Sequence, residues 1–308
     1  MTAVILLGPQ GPRPNLPQTL AALDIAGPIA TVTAGWEERE TDDLELDQDV
    51  GGQTINLGLF RRWVEVLDLD PPFHEAIRQR DSVLREMRET YNLRLDYAMQ
   101  AVYAVQSRPG SRSVREAELS DAIEAVRMLD THHFTATRAV YDDFYDRWPP
   151  HERPAVEAHR SDVAALIERA ATVAIAGGHV GVLQACLHMF NVAAVLGDRA
   201  VVAWSAGAMA ISPKIVLFHD RAPQGAGHAE VFDAGIGLCP GILPFPDARR
   251  RLRLDDPARM AVLARRFAPL ACVPLDEGGR VVVGRAAASC PPGVPVIDKH
   301  GRVTGAAA

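Results

Sequence analysis

One short stretch of the chain has the residue order of a nucleophile turn. A hydrophobic run leads into Ser205, which is followed by the small residues Ala206, Gly207 and Ala208. Ala203 stands where the GxSxG motif has its first glycine. In a strand that turns sharply into a helix, the hydroxyl would lie over the strand end and the helix N–H groups would face an oxyanion. The pattern predicts a serine nucleophile, and the alternative is an N-cap serine with close helix packing.

The segments around this turn alternate between strands and helices. We predict strands at residues 4–7, 29–33, 172–176, 200–204 and 215–218. This alternation is typical of a doubly wound, mostly parallel sheet, so the predicted fold class is α/β, and the spacing of the first two strands suggests a parallel pair. Ligands of such sheets bind beyond the carboxyl ends of the strands, which is where the pattern places Ser205.

The middle of the chain has a different composition. Residues 37–169 contain 17 Arg and no Lys against 28 Asp and Glu, a net charge of −11, whereas the rest of the chain has +4. Apolar residues recur at intervals of three and four in residues 59–67, 73–91, 93–105, 116–129 and 136–148, which indicates helices, with breaks at Pro71-Pro72, Pro109-Gly110 and Pro149-Pro150. We predict a discontinuous α/β domain of residues 1–36 and 171–308, interrupted by an acidic helical insertion of residues 37–170. All five tyrosines lie in this insertion, where they either fill a helical bundle or form an aromatic wall facing a ligand.

Three motifs carry a resemblance to a known family. They are Ile175-Ala176-Gly177-Gly178-His179, Trp204-Ser205-Ala206-Gly207-Ala208, and Gly235-Ile236-Gly237-Leu238 followed by residues 247–254. In this layout the chain resembles the S51 serine peptidases, which include the cyanophycinases and the aspartyl dipeptidases. The resemblance covers residues 1–35 loosely and 172–283 well. It implies the class I glutamine amidotransferase-like α/β fold, to which this chain adds a large helical insertion.

The resemblance also implies roles for individual residues. It makes Ser205 the nucleophile and assigns the oxyanion hole to the backbone N–H groups of Ala206, Gly177 and Gly178. The family's general base is a His in an HF pair before an Arg-rich stretch, and this position falls on Asp247 here. A carboxylate with an ordinary pKa of about 4 is a poor base for a serine hydroxyl.

Other residues are therefore candidates for the base and for the acidic member of a triad. His219, His228 and His179 are the candidate bases, and the alternative for each is a His that caps a strand end or bonds to the backbone. In the family an acidic residue follows the serine strand. This makes Asp220 the first candidate for the acidic member of the triad and Glu230 the second.

A dense basic cluster lies between residues 249 and 253 of this otherwise acidic chain. Its four arginines cannot all face one way on a helix, so part of the cluster is solvated or pairs with nearby Asp residues. The alternative is that Arg251 and Arg253 bind a carboxylate of the substrate, together with His179 and Glu230 as further contacts. An acidic peptide or amino-acid derivative would suit such a site.

The composition limits the partners of the protein. A net charge of −7 argues against nucleic-acid binding, and the four widely spaced cysteines form no CxxC pair. His132 and His133 would point about 100° apart on a helix, so we predict no metal site. The sequence contains no nucleotide-binding motif, and we predict no cofactor. No apolar run approaches the roughly 20 residues of a membrane span, and we predict a cytoplasmic protein without a membrane partner. The sequence leaves open whether the chain forms a homodimer.

Together these features predict a serine hydrolase that cleaves an amide or peptide bond of a small-molecule or peptide substrate. The alternative is a catalytically inactive amidotransferase-like homologue that binds a small ligand or a protein. Glutamine amidotransferase chemistry itself ranks last, because that family uses a Cys nucleophile and this chain has Ser205.

Overall fold

Continuous apolar runs of four or five residues form the centre of the molecule. Such runs suit parallel strands that are covered on both faces. The computed structural model describes residues 3–220 and 227–305, and it joins these runs into a six-stranded sheet. In order across the sheet, the strands are β10 (Arg280–Gly284), β1 (Ala3–Leu7), β5 (Ala200–Trp204), β4 (Thr172–Ile175), β2 (Ile29–Val32) and β3 (Thr54–Asn56).

The neighbouring strands of this sheet are parallel except for β1 and β10. The fold is therefore α/β with a mostly parallel central sheet, as the alternation of elements predicts. The carboxyl ends of the five parallel strands lie along one edge. Strands β1 and β2, which were expected to form a parallel pair, are parallel but separated by β5 and β4.

The described residues outside the central sheet include three smaller strand pairs. They are β6 (Lys214–Leu217) with β7 (Glu230–Ala234), β8 (Ile242–Pro246) with β9 (Ala271–Leu275), and β11 (Val296–Ile297) with β12 (Val303–Thr304). The middle pair is parallel and the other two are antiparallel.

Helices cover the sheet and extend beyond it. In chain order they are α1 (Leu16–Ala22), α2 (Leu44–Asp49), α3 (Leu59–Leu69), α4 (Pro71–Ser107), α5 (Arg112–Arg147), α6 (Pro154–Glu168), α7 (Val180–Met189), α8 (Val192–Val195), α9 (Ala206–Ala210), α10 (Ala248–Arg251) and α11 (Pro257–Phe267). Buried residues of α3, α6 and α7 pack on one face of the sheet, and α1 packs on the other. Short 3-10 helices occupy Ala34–Arg39 and Pro150–Glu152.

Two long helices, α4 and α5, form an antiparallel hairpin of 37 and 36 residues. Helix α4 begins at Pro71, where a missing N–H costs nothing, and the Asp70 carboxylate accepts a hydrogen bond from Phe73 N at 3.2 Å. Pro109 and Gly110 separate the two helices, because proline cannot continue a helix and glycine permits the reversal. Of the helices within residues 3–220 and 227–305, none is long and apolar enough to cross a membrane.

The segment predicted to be a helical insertion differs from that expectation in two ways. The apolar periodicity suggested four shorter helices within residues 73–148, and the structure joins them into α4 and α5. The same segment also supplies β3, which pairs with β2 at the edge of the central sheet. The division of the chain at residues 37 and 170 stays a prediction.

A buried ionic network connects the hairpin to the rest of the fold. Arg266 of α11 is 4% exposed and donates two hydrogen bonds of 2.7 Å to the Asp130 carboxylate of α5. Its third nitrogen, Nη1, donates to the Ala229 carbonyl at 2.6 Å. Tyr91 of α4 donates to Asp130 at 2.8 Å and accepts from the Val231 N–H at 3.1 Å. Because every partner comes from a different part of the chain, the network fixes the hairpin against β7 and α11.

Candidate active site

Ser205 follows β5 in a backbone conformation that few residues adopt. Its φ is 51° and its ψ is −123°. A residue with a Cβ is strained there, because a positive φ brings that atom close to the backbone. The hydroxyl does not cap helix α9, so the N-cap alternative has no support in the side-chain geometry. The turn instead presents a half-buried hydroxyl at the carboxyl edge of the sheet.

Small residues on either side make this turn possible. A Cβ added to Gly207 would lie 2.3 Å from the Ile175 carbonyl oxygen, so α9 can begin this close to β4 only with glycine. A Cβ added to Gly177 would lie 2.8 Å from Ser205 Cβ and 3.5 Å from Ser205 Oγ. The Gly177 backbone therefore passes directly beside the serine side chain.

The glycine turn after β4 also packs against the loop after β2. Gly178 has a φ of +111°, and a Cβ there would lie 2.1 Å from the Gly35 carbonyl oxygen. His179 N donates a hydrogen bond to the same oxygen at 2.7 Å. Three neighbouring strand ends thus converge at Ser205, Gly177 and Gly35.

This convergence leaves main-chain donors beside the hydroxyl. Within the described ranges, the N–H groups of Gly177, Gly178 and Ala206 donate no backbone hydrogen bonds. All three were predicted to form an oxyanion hole; Gly177 lies beside Ser205 and Ala206, and the oxyanion hole itself stays a prediction. Unpaired N–H groups at such a position can stabilise negative charge on a substrate oxygen.

His179, one of the three candidate bases, directly follows Gly178 of this turn. Its side chain caps α7, with Nδ1 accepting a hydrogen bond from Val182 N at 3.1 Å. In a neutral ring this bond places the proton on Nε2. The exposed ring also lines a cavity beneath the helical hairpin.

His219 lies in a different cluster. Arg251 Nη2 is 3.1 Å from His219 Nε2, and the Arg251 guanidinium also stacks on Phe218 with 4.5 Å between its Cζ and the ring centre. Partial burial and the positive charge of Arg251 lower the pKa of His219. The predicted substrate-binding arginine is therefore engaged with one of the predicted bases.

Asp220 and His228 form a further group beyond that cluster. Arg259 Nη2 donates to Asp220 Oδ1 at 2.7 Å, so the candidate triad acid is neutralised by an arginine. The His228 ring stacks on Tyr103 with 5.9 Å between ring centres. Burial lowers the pKa of His228 first, and the nearby Arg259 lowers it further. No described hydrogen bond joins this group to Ser205.

The remaining predicted residues also have partners away from the serine. Asp247 has a φ of 57° and accepts a 2.6 Å hydrogen bond from Arg250 Nε. Glu230 accepts a hydrogen bond from Asn92 of α4, and the Arg253 side chain is exposed. Within residues 3–220 and 227–305, no group of three or more His, Cys, Asp or Glu side chains could hold a metal ion.

The third motif of the resemblance packs against the nucleophile helix. Its residues 235–238 form a loop after β7. Ile236 N donates to the Ala210 carbonyl, and Leu238 N donates to the Ile211 carbonyl, each at 2.8 Å. All three sequence motifs therefore lie near α9, although the base expected after the third is replaced by Asp247.

One strained residue at the same sheet edge was not singled out by the sequence. Glu37, two residues after Gly35, has a φ of 58° and a ψ of −125°, close to the values of Ser205. The side chain is half-buried. Strain of this kind concentrates at functional sites, which makes Glu37 a further candidate. No sequence signal marks it, because glutamate is common and the turn contains no motif.

Comparisons with known proteins give little further information. No protein-family model and no curated protein sequence matches the chain. Among solved structures, a peptidase from an acI-B1 Actinobacterium aligns with a TM-score of 0.47 and 13% sequence identity, over 97% of this chain and 91% of that chain. Similarity of this extent assigns no function to the chain.

Proposed function

We propose that this chain is a serine hydrolase of the S51 type, with a class I glutamine amidotransferase-like fold, that cleaves an amide or peptide bond. The observation that carries the proposal is the strained conformation of Ser205 directly beside the Gly177 backbone. A structural serine has no need of this conformation, because a serine that caps a helix uses ordinary dihedral angles and bonds to the helix N–H groups. The geometry instead favours a hydroxyl that reacts.

In the proposed reaction, Ser205 Oγ attacks the carbonyl carbon of the substrate and transfers its proton to a base. The carbonyl oxygen becomes negative and accepts hydrogen bonds from the N–H groups of Ala206 and the Gly177-Gly178 turn. The carbon–nitrogen bond then breaks, the amine leaves with the proton, and water hydrolyses the acyl-serine. Each oxyanion donor would contribute about a hundredfold to a thousandfold in rate.

We propose His179 as the residue that accepts the Ser205 proton. It follows Gly178 directly, whereas His219 is engaged with Arg251 and His228 stacks away from the turn. His179 would use Nδ1 after leaving its cap on α7, or Nε2 after losing the Nε2 proton. Either requirement would make the reaction with unactivated amides slow.

The substrate proposed from the sequence is a small molecule or a peptide, with an acidic group placed near Arg251 and Arg253. We further propose that the protein acts in the cytoplasm, without a cofactor, a metal ion, a nucleic acid or a membrane. Homodimer formation stays open in this proposal.

A fluorophosphonate probe tests the nucleophile, since it labels activated serines covalently. We expect wild type and Ser82→Ala, which removes an exposed hydroxyl on α4, to be labelled at the same rate. Ser205→Ala should lose the label. His179→Gln should slow labelling, whereas His219→Gln should not. Labelling of Ser205→Ala at the wild-type rate would contradict the proposal.

A second candidate function is ligand binding without catalysis. It is favoured by the engagement of Asp247 with Arg250 and of Asp220 with Arg259, which leaves no complete triad assembled beside Ser205 in the described residues. Under this alternative the folded wild-type protein would resist the probe and release no product from activated esters, yet would still bind a small molecule.

A further inference from the structure

The α4–α5 hairpin covers a cavity of about 360 Å³. Its lining comes from α3, α4, α5, α7 and the end of β7, and it includes His179. Ser205 is not among the lining residues. The volume lies within the range of about 300–1,000 Å³ that is typical of small-molecule sites.

One wall of the cavity is strongly aromatic. The aromatic residues on it come from the hairpin and from α3, and they are Trp63, Phe73, Tyr141, Phe144 and Tyr145. Phe73 and Phe144 stack with 5.9 Å between ring centres, so this wall is packed in place. Such a surface favours a flat, apolar group on the ligand.

Two buried polar side chains in the lining each have one atom without a hydrogen-bond partner. His133 is 6% exposed, and its Nε2 has no hydrogen-bond partner among the described residues. Gln184 is 2% exposed; its amide nitrogen donates to the Ala234 carbonyl, and its Oε1 is unpartnered. Because buried polar atoms almost always have a partner, these two atoms point to a polar ligand. The Gln184 oxygen requires a donor such as an N–H group.

The charged residues of the lining favour an anion. Arg80 is paired with Asp81 and lies over the Tyr141 ring. Arg85 and Arg88 have no salt bridge to a carboxylate in the described part of the chain, and the Arg88 guanidinium faces the Phe232 ring at 5.1 Å.

The remaining carboxylate of the lining does not compensate these two arginines. Asp233 accepts hydrogen bonds from the Tyr141 hydroxyl at 2.9 Å and from Ala234 N at 2.7 Å. Burial raises the pKa of Asp233. A carboxylate on a ligand would give Arg85 or Arg88 the partner that the protein does not supply.

We infer that this cavity binds a small carboxylate that also carries an N–H donor and an aromatic side chain. The carboxylate would pair with Arg85 or Arg88, the N–H would donate to Gln184 Oε1, and the ring would pack on the aromatic wall. An aromatic amino acid and its N-acyl derivative share this chemistry. The inference rests on the cavity alone and does not require Ser205 to be a nucleophile.

Isothermal titration calorimetry on the full-length Ser205→Ala variant tests this inference without turnover. The three probes are N-acetyl-L-phenylalanine, L-phenylalanine, and N-acetyl-L-phenylalanine amide. We expect binding of at least one of the two carboxylates, and binding of the neutral amide weaker by about tenfold or more. The comparison of the two carboxylates distinguishes an acylated ligand from a free amino acid. Absence of binding by all three probes would overturn the inference.

Two variants locate the binding in the cavity. Arg85→Gln/Arg88→Gln should weaken binding of the carboxylate by about tenfold to a hundredfold. Arg78→Gln removes an arginine of the same helix whose side chain is 71% exposed outside the cavity, and it should leave the affinity unchanged. Ala185→Phe should block binding by filling the space, with circular dichroism as the check that the chain is folded. Equal affinities in the double variant and Arg78→Gln would contradict the assignment.

Failure of this inference is distinguishable from failure of the proposed hydrolase. Covalent labelling depends on the Ser205 hydroxyl, whereas the calorimetry uses a chain that lacks it. A protein that is labelled but binds none of the probes keeps the hydrolase and loses the cavity ligand. A protein that binds a probe but is not labelled keeps the cavity ligand and loses the hydrolase.

Discussion

Replacement of Ser205 by glycine should stabilise the folded chain while removing the proposed nucleophile. Dihedral angles of this kind cost a residue other than glycine about 1–3 kcal/mol of conformational strain. Glycine adopts these angles without strain. It also raises the conformational entropy of the unfolded chain, which offsets about 0.4–1 kcal/mol of that gain. We therefore expect the free energy of unfolding to rise by roughly 0.5–2 kcal/mol.

Ser205→Ala is the matched control for this experiment. Alanine keeps the Cβ, and therefore the strain, but lacks the hydroxyl. Urea denaturation followed by circular dichroism gives both free energies, and the slope m checks that the two variants unfold alike. We expect the glycine variant to be the more stable by about 0.5–2 kcal/mol, with neither variant labelled. If both unfold at the same urea concentration, no strain is stored at this turn and the argument for a reactive serine is refuted.

Three further variants test other parts of the structure. Asp130→Asn leaves the buried Arg266 charge uncompensated and should lower the free energy of unfolding by about 3–5 kcal/mol in urea denaturation; full stability would contradict the network. Gly177→Ala should slow fluorophosphonate labelling about tenfold or more by displacing the serine, and unchanged labelling would exclude this contact. Burial lowers the pKa of His133 below 6.5, so stability should fall as pH drops below 6.5 through the lowered value. His133→Phe should reduce that loss in thermal melts, whereas His132→Phe, at an exposed position, should not.

The parallel strands were predictable from the sequence because each is a continuous apolar run. The residue range expected for the strand before Ser205 is the one the structure has, 200–204, since burial on both faces requires apolar residues throughout. Strand β3 was missed for the opposite reason. Its residues Thr54, Ile55 and Asn56 include one apolar side chain, and they become a strand by pairing with the edge of β2.

The length of the hairpin helices was not predictable from periodicity alone. Helix α4 crosses residues 91–93, where the apolar pattern shifts between the predicted helices 73–91 and 93–105. No proline or glycine stands at that junction, and Tyr91 and Leu95 both pack inward in the continuous helix. Proline cannot continue a helix, so the breaks predicted at Pro109 and Pro149 are present in the structure. The gap in the apolar pattern at residues 91–93 has no such residue, and the helix continues through it.

The site was partly predictable because close approach requires small residues. Ser205, Gly177 and Gly178 were selected from their order after two strands, and the structure places Gly177 beside Ser205 and Gly178 against Gly35. The general base and the triad acid could not be identified from sequence spacing. The role of each candidate depends on the charged residue that its loop contacts in the folded chain. Asp220 meets Arg259, which follows it by 39 residues. No local pattern could show that contact.

The cavity could not be found in the sequence, because its lining comes from elements that are distant along the chain. Gln184 of α7 and His133 of α5 line it together only because the hairpin packs against β7. That position depends on the apolar cluster in which residues such as Leu95 and Val126 of the hairpin pack against Phe245 of β8. It also depends on the Arg266 network. The buried ion pair fixes the hairpin through charged contacts that few other positions could satisfy. Apolar contacts alone would suffice to cover the surface beneath the hairpin, so the additional ion pair favours a hairpin whose exact position matters for the cavity beneath it.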